Sequence, residues 1–174
     1  DRNISPAHPA YRQLFQRVCT YAACGLHPSY ASNHHPGRLA EESSTFTALQ
    51  GQPPRCSRQH FLMLRFPTTY RALLKAGIRH DYTLGFPELP GFRAGYGGTF
   101  PWYDLEKESQ TDLKLFPLGF MELTFNKYLG LSPTESFEKM INIEKQVKKY
   151  RGHLIGLWHN NSFYPQEGWS SEWL

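Results

Sequence analysis

Long apolar runs are missing from this sequence. No stretch approaches the roughly 20 consecutive apolar residues that a membrane-spanning helix requires, and no signal-peptide pattern is visible in the residues that follow Asp1. A chain without a membrane span is expected, placed in the cytoplasm. Cysteine is scarce: Cys19, Cys24 and Cys56 are an odd number with no metal-type spacing. Cys19 and Cys24 have apolar neighbours and read as buried free thiols, which favours a reducing compartment. An excess of one charge is also lacking. The formal net charge is only +4, and no basic block interleaves with stacking aromatics, so a nucleic-acid partner is not expected. The densest basic run, residues 145–151, reads as the solvated face of a helix. Gly95, Gly97 and Gly98 lack the GxGxxG spacing and a following helix, so they are not read as a phosphate cradle. No internal repeat stands out.

Apolar and aromatic residues are plentiful. At 40% hydrophobic and 15% aromatic over 174 residues, the chain is neither disordered nor fibrous, and it is long enough for one domain with a real core. Tyr11, Leu14, Phe15 and Val18 fall at helical spacing behind Pro9. A strand over 21–26 then ends at His27, and an exposed polar loop follows over 28–37. The spacing predicts a second helix over 38–50 with Gly51 as its stop. Pro53 and Pro54 lead into a strand ending near His60. Pro67 opens a third helix that turns Tyr70, Leu73 and Leu74 inward and ends at Gly77. Further strands are expected over 78–86, 92–95, 113–123 and 154–158. Ser132, Pro133 and Glu135 form a capping box for a helix that buries Phe137, Met140, Ile141, Val147 and Tyr150. Residues 161–174 read as a surface tail. Strands alternating with helices imply an α/β fold with a mainly parallel sheet, whose ligand site lies at the C-terminal strand ends.

That rule gathers His27, His60, Arg93 and His159. His27 and His60 are the candidate metal ligands, since imidazole suits zinc, iron, nickel or cobalt; Asp81 is a possible third. His34 and His35 lie in an irregular loop and read as exposed. His159 is placed to act as a general acid, with Glu122 as the carboxylate beside it. Arg93 and Arg58 can orient a carboxylate or a substrate anion, or serve a structural ion pair. Phe100, Trp102, Tyr103, Trp158, Phe163 and Trp169 can wall a sugar site or simply fill the core.

Five stretches in order carry a resemblance: G-L-H-P-S at 25–29, S-R-Q-H-F-L at 57–62, D-Y-T-L-G at 81–85, G-F-R-A at 91–94 and L-W-H-N at 157–160. Together they resemble a divergent branch of the polysaccharide deacetylase (NodB-like) carbohydrate esterases. The resemblance implies a distorted (β/α) barrel and removal of N- or O-acetyl groups from a sugar or polysaccharide by metal-activated water. It implies a divalent metal, zinc foremost, on His27, with His159, Arg93 and Glu122 as catalytic residues; His60, by its strand-end position, is expected to replace the missing second ligand. Arg58, Asp81, Trp102 and Trp158 are the expected substrate-binding residues. Two departures stand out. Ala31 occupies the place of the second histidine in the family's usual H-[ST]-x-x-H, and no T-F-D-D-G-like run precedes the first motif. The chain therefore looks like the later two-thirds of such a domain, a barrel incomplete at its N-terminus. Exposed strand edges would invite homo-oligomers. A glycan-binding homologue without catalysis, or an inactive fragment of such an enzyme, is the alternative.

Overall fold

The computed structural model describes residues 4–35, 37–164 and 169–173. The chain divides into two compact units, one made of residues 1–82 and 101–114, the other of 83–100 and 115–174.

The first unit begins with helix α1 (Pro9–Cys19), where Pro9 stands in the first turn and the His8 side chain accepts from the Ala10 N–H. It rests on α2 (Arg38–Gln50) through an edge-on contact of Phe15 with Phe46. Gly51, at φ 81°, closes α2 in the left-handed conformation that glycine adopts without a Cβ penalty. Strands β1 (Cys56–Ser57) and β2 (His80–Asp81) flank α3 (Thr68–Lys75) and pair in parallel, Cys56 opposite His80 and Ser57 opposite Asp81. Leu26 adds a single parallel bridge to Ser57. Beyond β2 lie β4 (Ser109–Leu115) and then β3 (Phe100–Asp104), giving the order β1-β2-β4-β3. Tyr70 and Leu73 from α3 are fully enclosed with Ile78 and Leu113, and Trp102 meets the Tyr70 ring edge-on. Asp104 is buried too. Arg71 grips it with two hydrogen bonds of 2.7 Å, which hold the carboxyl below its usual range despite the opposing effect of burial.

The second unit repeats the strand–helix–strand pattern. Strands β5 (Phe120–Met121) and β6 (Gly156–Leu157) are parallel, with Met121 opposite Leu157, and α4 (Pro133–Lys149) lies between them in sequence. Ser132 and Glu135 cap α4 reciprocally, each side chain bonding the other's backbone N–H. Leu118, Phe125 and Leu157 form the core. Gly85 is packed so closely that a Cβ there would lie 2.7 Å from the Leu118 Cβ.

Several expectations from sequence are corrected. Residues 21–25 are not a strand; only Leu26 pairs. The strands expected over 78–86 and 154–158 shrink to two residues each, and 92–95 is a turn. The run 113–123 breaks into the end of β4 and β5, interrupted at Pro117, which has no N–H for a ladder. The β3–β4 hairpin was not expected, because Asp104, buried in it, reads as a surface residue. Phe137 and Tyr150 are exposed, at 64% and 71% of their surface. The tail expected at the surface buries Ser162 and Trp169. Among the described residues, neither the four-stranded nor the two-stranded sheet closes on itself. Among the described residues, no helix is long and apolar enough to cross a membrane.

Candidate functional site

In the second unit, the parallel pairing of Met121 with Leu157 brings the residues after both strands to the same edge. Glu122 follows β5 and is wholly buried. The chain leaves β6 through Trp158 and turns at His159, the N-cap of a short 3₁₀ turn over Asn160–Phe163. Three donors converge on one carboxylate oxygen. The His159 backbone N–H and ring Nδ1 each lie 2.7 Å from Glu122 Oε1, and Ser162 Oγ donates to it at 2.6 Å. Burial alone would raise the Glu122 carboxyl, but the bonds from the His159 ring, the Ser162 hydroxyl and the His159 N–H outweigh it and hold the group below 4.5. Glu122 is therefore ionised at neutral pH. Since a carboxylate only accepts, Nδ1 of His159 carries a proton. Nε2, on a ring 36% exposed, is left to exchange a proton with a substrate. The other oxygen, Glu122 Oε2, is buried with no hydrogen-bond partner among the described residues.

In the first unit, backbone bonds tie Leu26 to β1: its N–H donates to the Cys56 carbonyl at 2.9 Å, and its carbonyl accepts from Arg58 at 3.1 Å. This fixes His27 beside Arg58, and the imidazole Nδ1 donates to the Arg58 carbonyl at 2.6 Å. A carbonyl only accepts, so the Nε2 lone pair of His27 faces outward. His60 Nδ1 stands 3.1 Å from it and donates to it. A metal bound tetrahedrally at about 2.0–2.1 Å separates neighbouring nitrogen donors by roughly 3.3 Å. The two nitrogens already lie near that spacing, and the Arg58 carbonyl is the kind of outer partner that orients a ligating histidine. The pair thus fits two positions of a metal shell. Asp81 does not join it as a third. It is fully buried and accepts from Ser57 Oγ at 3.0 Å, and no group of three or more potential ligands assembles among the described residues. A cavity of about 260 Å³ is lined in part by Gly25, His27, Cys56, Arg58 and Tyr82.

The remaining expected residues are distributed unevenly. Arg58 is half-buried and Arg93 is exposed on the loop after Gly91. Trp102 is buried in the core, so it offers no wall to a substrate; its indole packs on Tyr70 because β3 alternates and turns Trp102 and Asp104 inward. Burial likewise denies Asp81 a direct contact with substrate. Trp158 is half-exposed and lies 6.0 Å from the Phe163 ring. His34 and His35 are exposed. Sequence reasoning missed Ser162. Its one signal is the spacing of three residues from His159, which a 3₁₀ turn brings back over the same carboxylate. A cavity of about 770 Å³ in the second unit, between α4 and the glycine-rich loop at 91–97, does not include Glu122 or His159 in its lining. No protein-family model matches this chain, and no curated protein matches it either.

Proposed function

We propose that the chain serves a hydrolase that removes acetyl groups from a sugar or polysaccharide, with His159 as the proton donor to the departing nitrogen or oxygen. The observation that carries this reading is the buried Glu122 carboxylate fastened to His159 Nδ1 at 2.7 Å. It fixes the tautomer, aims Nε2 away from the core and stabilises the ring while it is charged. When water attacks the acetyl carbon it releases a proton to solvent, the C–N or C–O bond breaks, and the leaving atom takes a proton from His159 Nε2. Solvent then restores that proton. Ser162 keeps Oε1 in place and does not touch substrate. His27 and His60 would hold a divalent metal, zinc foremost, together with a third donor that the described residues do not gather there. Such an ion supplies Lewis acidity toward a carbonyl. Arg93, exposed and permanently charged, suits an anionic or strongly polar part of the glycan.

The missing Asp-pair motif favours one competing reading, a glycan-binding homologue that does not hydrolyse, and no third ligand joins His27 and His60 among the described residues. Both are tested by measuring metal content, glycan binding and acetate release from acetylated oligosaccharides. The variants are His159→Ala and the His27→Ala, His60→Ala double mutant. Hydrolysis requires acetate release by the parent chain, its loss in His159→Ala with metal retained, and metal loss in the double mutant. Glycan binding without acetate release leaves the binding reading standing. Neither binding nor release removes both.

A further inference from the structure

Cys19 closes α1 and Cys24 lies five residues later, yet their sulfurs are 2.7 Å apart. The backbone brings them together: the N–H groups of Tyr21 and Ala22 both return to the Val18 carbonyl at 3.1 and 3.0 Å, folding residues 20–23 over the end of the helix. Both cysteines are partly accessible. The two are free cysteines, as the sequence suggests, but only part-buried and side by side. The third cysteine is engaged differently, with Cys56 Sγ 3.7 Å from His80 Nδ1.

We propose that Cys19 and Cys24 are a reversible thiol–disulfide pair that clips the end of α1 to the segment carrying His27. Cys24 stands two residues before Leu26, which bridges to Ser57, and three before His27. A bond at Cys24 therefore fastens the approach to the His27–His60 pair from the helix side. The oxidant is a small-molecule disulfide. A thiolate of the pair attacks it and releases one thiol, and the second cysteine displaces the other. Two S–H bonds are lost, one S–S bond forms, and the external disulfide becomes two thiols. Burial first, and the neighbouring Cys19 sulfur second, push Cys24 up to about 11. Cys24 is thus largely protonated at neutral pH and must lose its proton before it takes part in either displacement.

The test equilibrates the full chain with oxidised glutathione or with reduced glutathione, traps free thiols with iodoacetamide and digests with trypsin. Arg17 and Arg38 bound one peptide that holds both cysteines, and Cys56 falls in another. The expected result after oxidation is a peptide two hydrogens lighter that takes no iodoacetamide, while Cys56 is alkylated. Reduced glutathione restores alkylation at both positions. Cys19→Ser, with its fold checked by circular dichroism, never shows the two-hydrogen loss and leaves Cys24 open to iodoacetamide or glutathione. Full alkylation of Cys19 and Cys24 under oxidised glutathione, or a bridge to Cys56 or to a second chain, overturns the proposal.

Discussion

Replacing Glu122 by Gln keeps the shape of the side chain and removes its charge. In the parent chain one oxygen accepts three bonds of 2.6–2.7 Å. Charge assistance roughly doubles a hydrogen bond, and a bond to a charged group contributes about 1.5–3 kcal/mol net. Three donors sharing one oxygen do not add fully, so losing the charge removes about 2–3 kcal/mol in total. The amide also places an N–H₂ where Oε2 now lies buried without a partner among the described residues, which costs about 1–3 kcal/mol. Relief of the desolvation of a buried charge opposes both. The expected net loss at neutral pH is about 2 kcal/mol, or roughly 4–8 °C in Tm for a chain of this size. Urea unfolding of parent and variant across pH is the assay. A carboxyl held below 4.5 contributes stability that is full above 4.5 and is lost as pH falls through its lower folded value. The gap between parent and variant should thus be constant above pH 4.5 and narrow as pH falls through the lower folded value. A Glu122→Gln variant as stable as the parent at neutral pH, or a gap that ignores acid, refutes the assignment of Glu122 as the ionised acceptor.

Ser162→Ala removes one of the three donors and should cost about 1.5–2 kcal/mol by urea unfolding; in combination with Glu122→Gln the cost should fall well short of the sum. Gly85→Ala forces a Cβ to 2.7 Å from the Leu118 Cβ, an overpacking expected to lower stability by about 1–3 kcal/mol. Ser132→Ala breaks the capping box of α4 and should cost about 1 kcal/mol, visible in the same unfolding midpoints. Arg71→Met frees Asp104 from the fork that holds it below 3.8. In the parent that contribution is present above 3.8 and lost as pH falls further, so the variant should be destabilised at neutral pH and show a smaller additional loss in strong acid.

Helices were legible in this chain and strands were not. Pro9, Gly51 and the Ser132–Glu135 box are local signals whose physics acts within one or two turns, and α1, α2 and α4 begin or end on them. The parallel strands are two residues long, too short to show a period, and their apolar flanks read as longer strands than they form. The β3–β4 hairpin hid for another reason. Its inward residues Trp102, Asp104, Leu113 and Leu115 alternate correctly, but a buried Asp104 reads as a surface residue until Arg71, 33 positions earlier, is known to pair with it.

The same distinction governs the candidate site. Glu122 and His159 are 37 residues apart, and strand-end reasoning placed them together because a strand–helix–strand unit returns its second strand beside its first. Asp81 was placed at a strand end by the same rule, but the rule does not fix the face. Ser57 and Asp81 are direct partners in the parallel register, so their side chains share a face and bond each other inside the protein. His27 comes one residue after the bridge at Leu26, at a position of opposite alternation. Strand-end position therefore identifies which residues can meet, and the parity of the register decides which of them reach solvent. By that criterion His27 is open to an ion or substrate in the first unit and Asp81 is turned inward, while His159 is the half-exposed end of a buried carboxylate in the second.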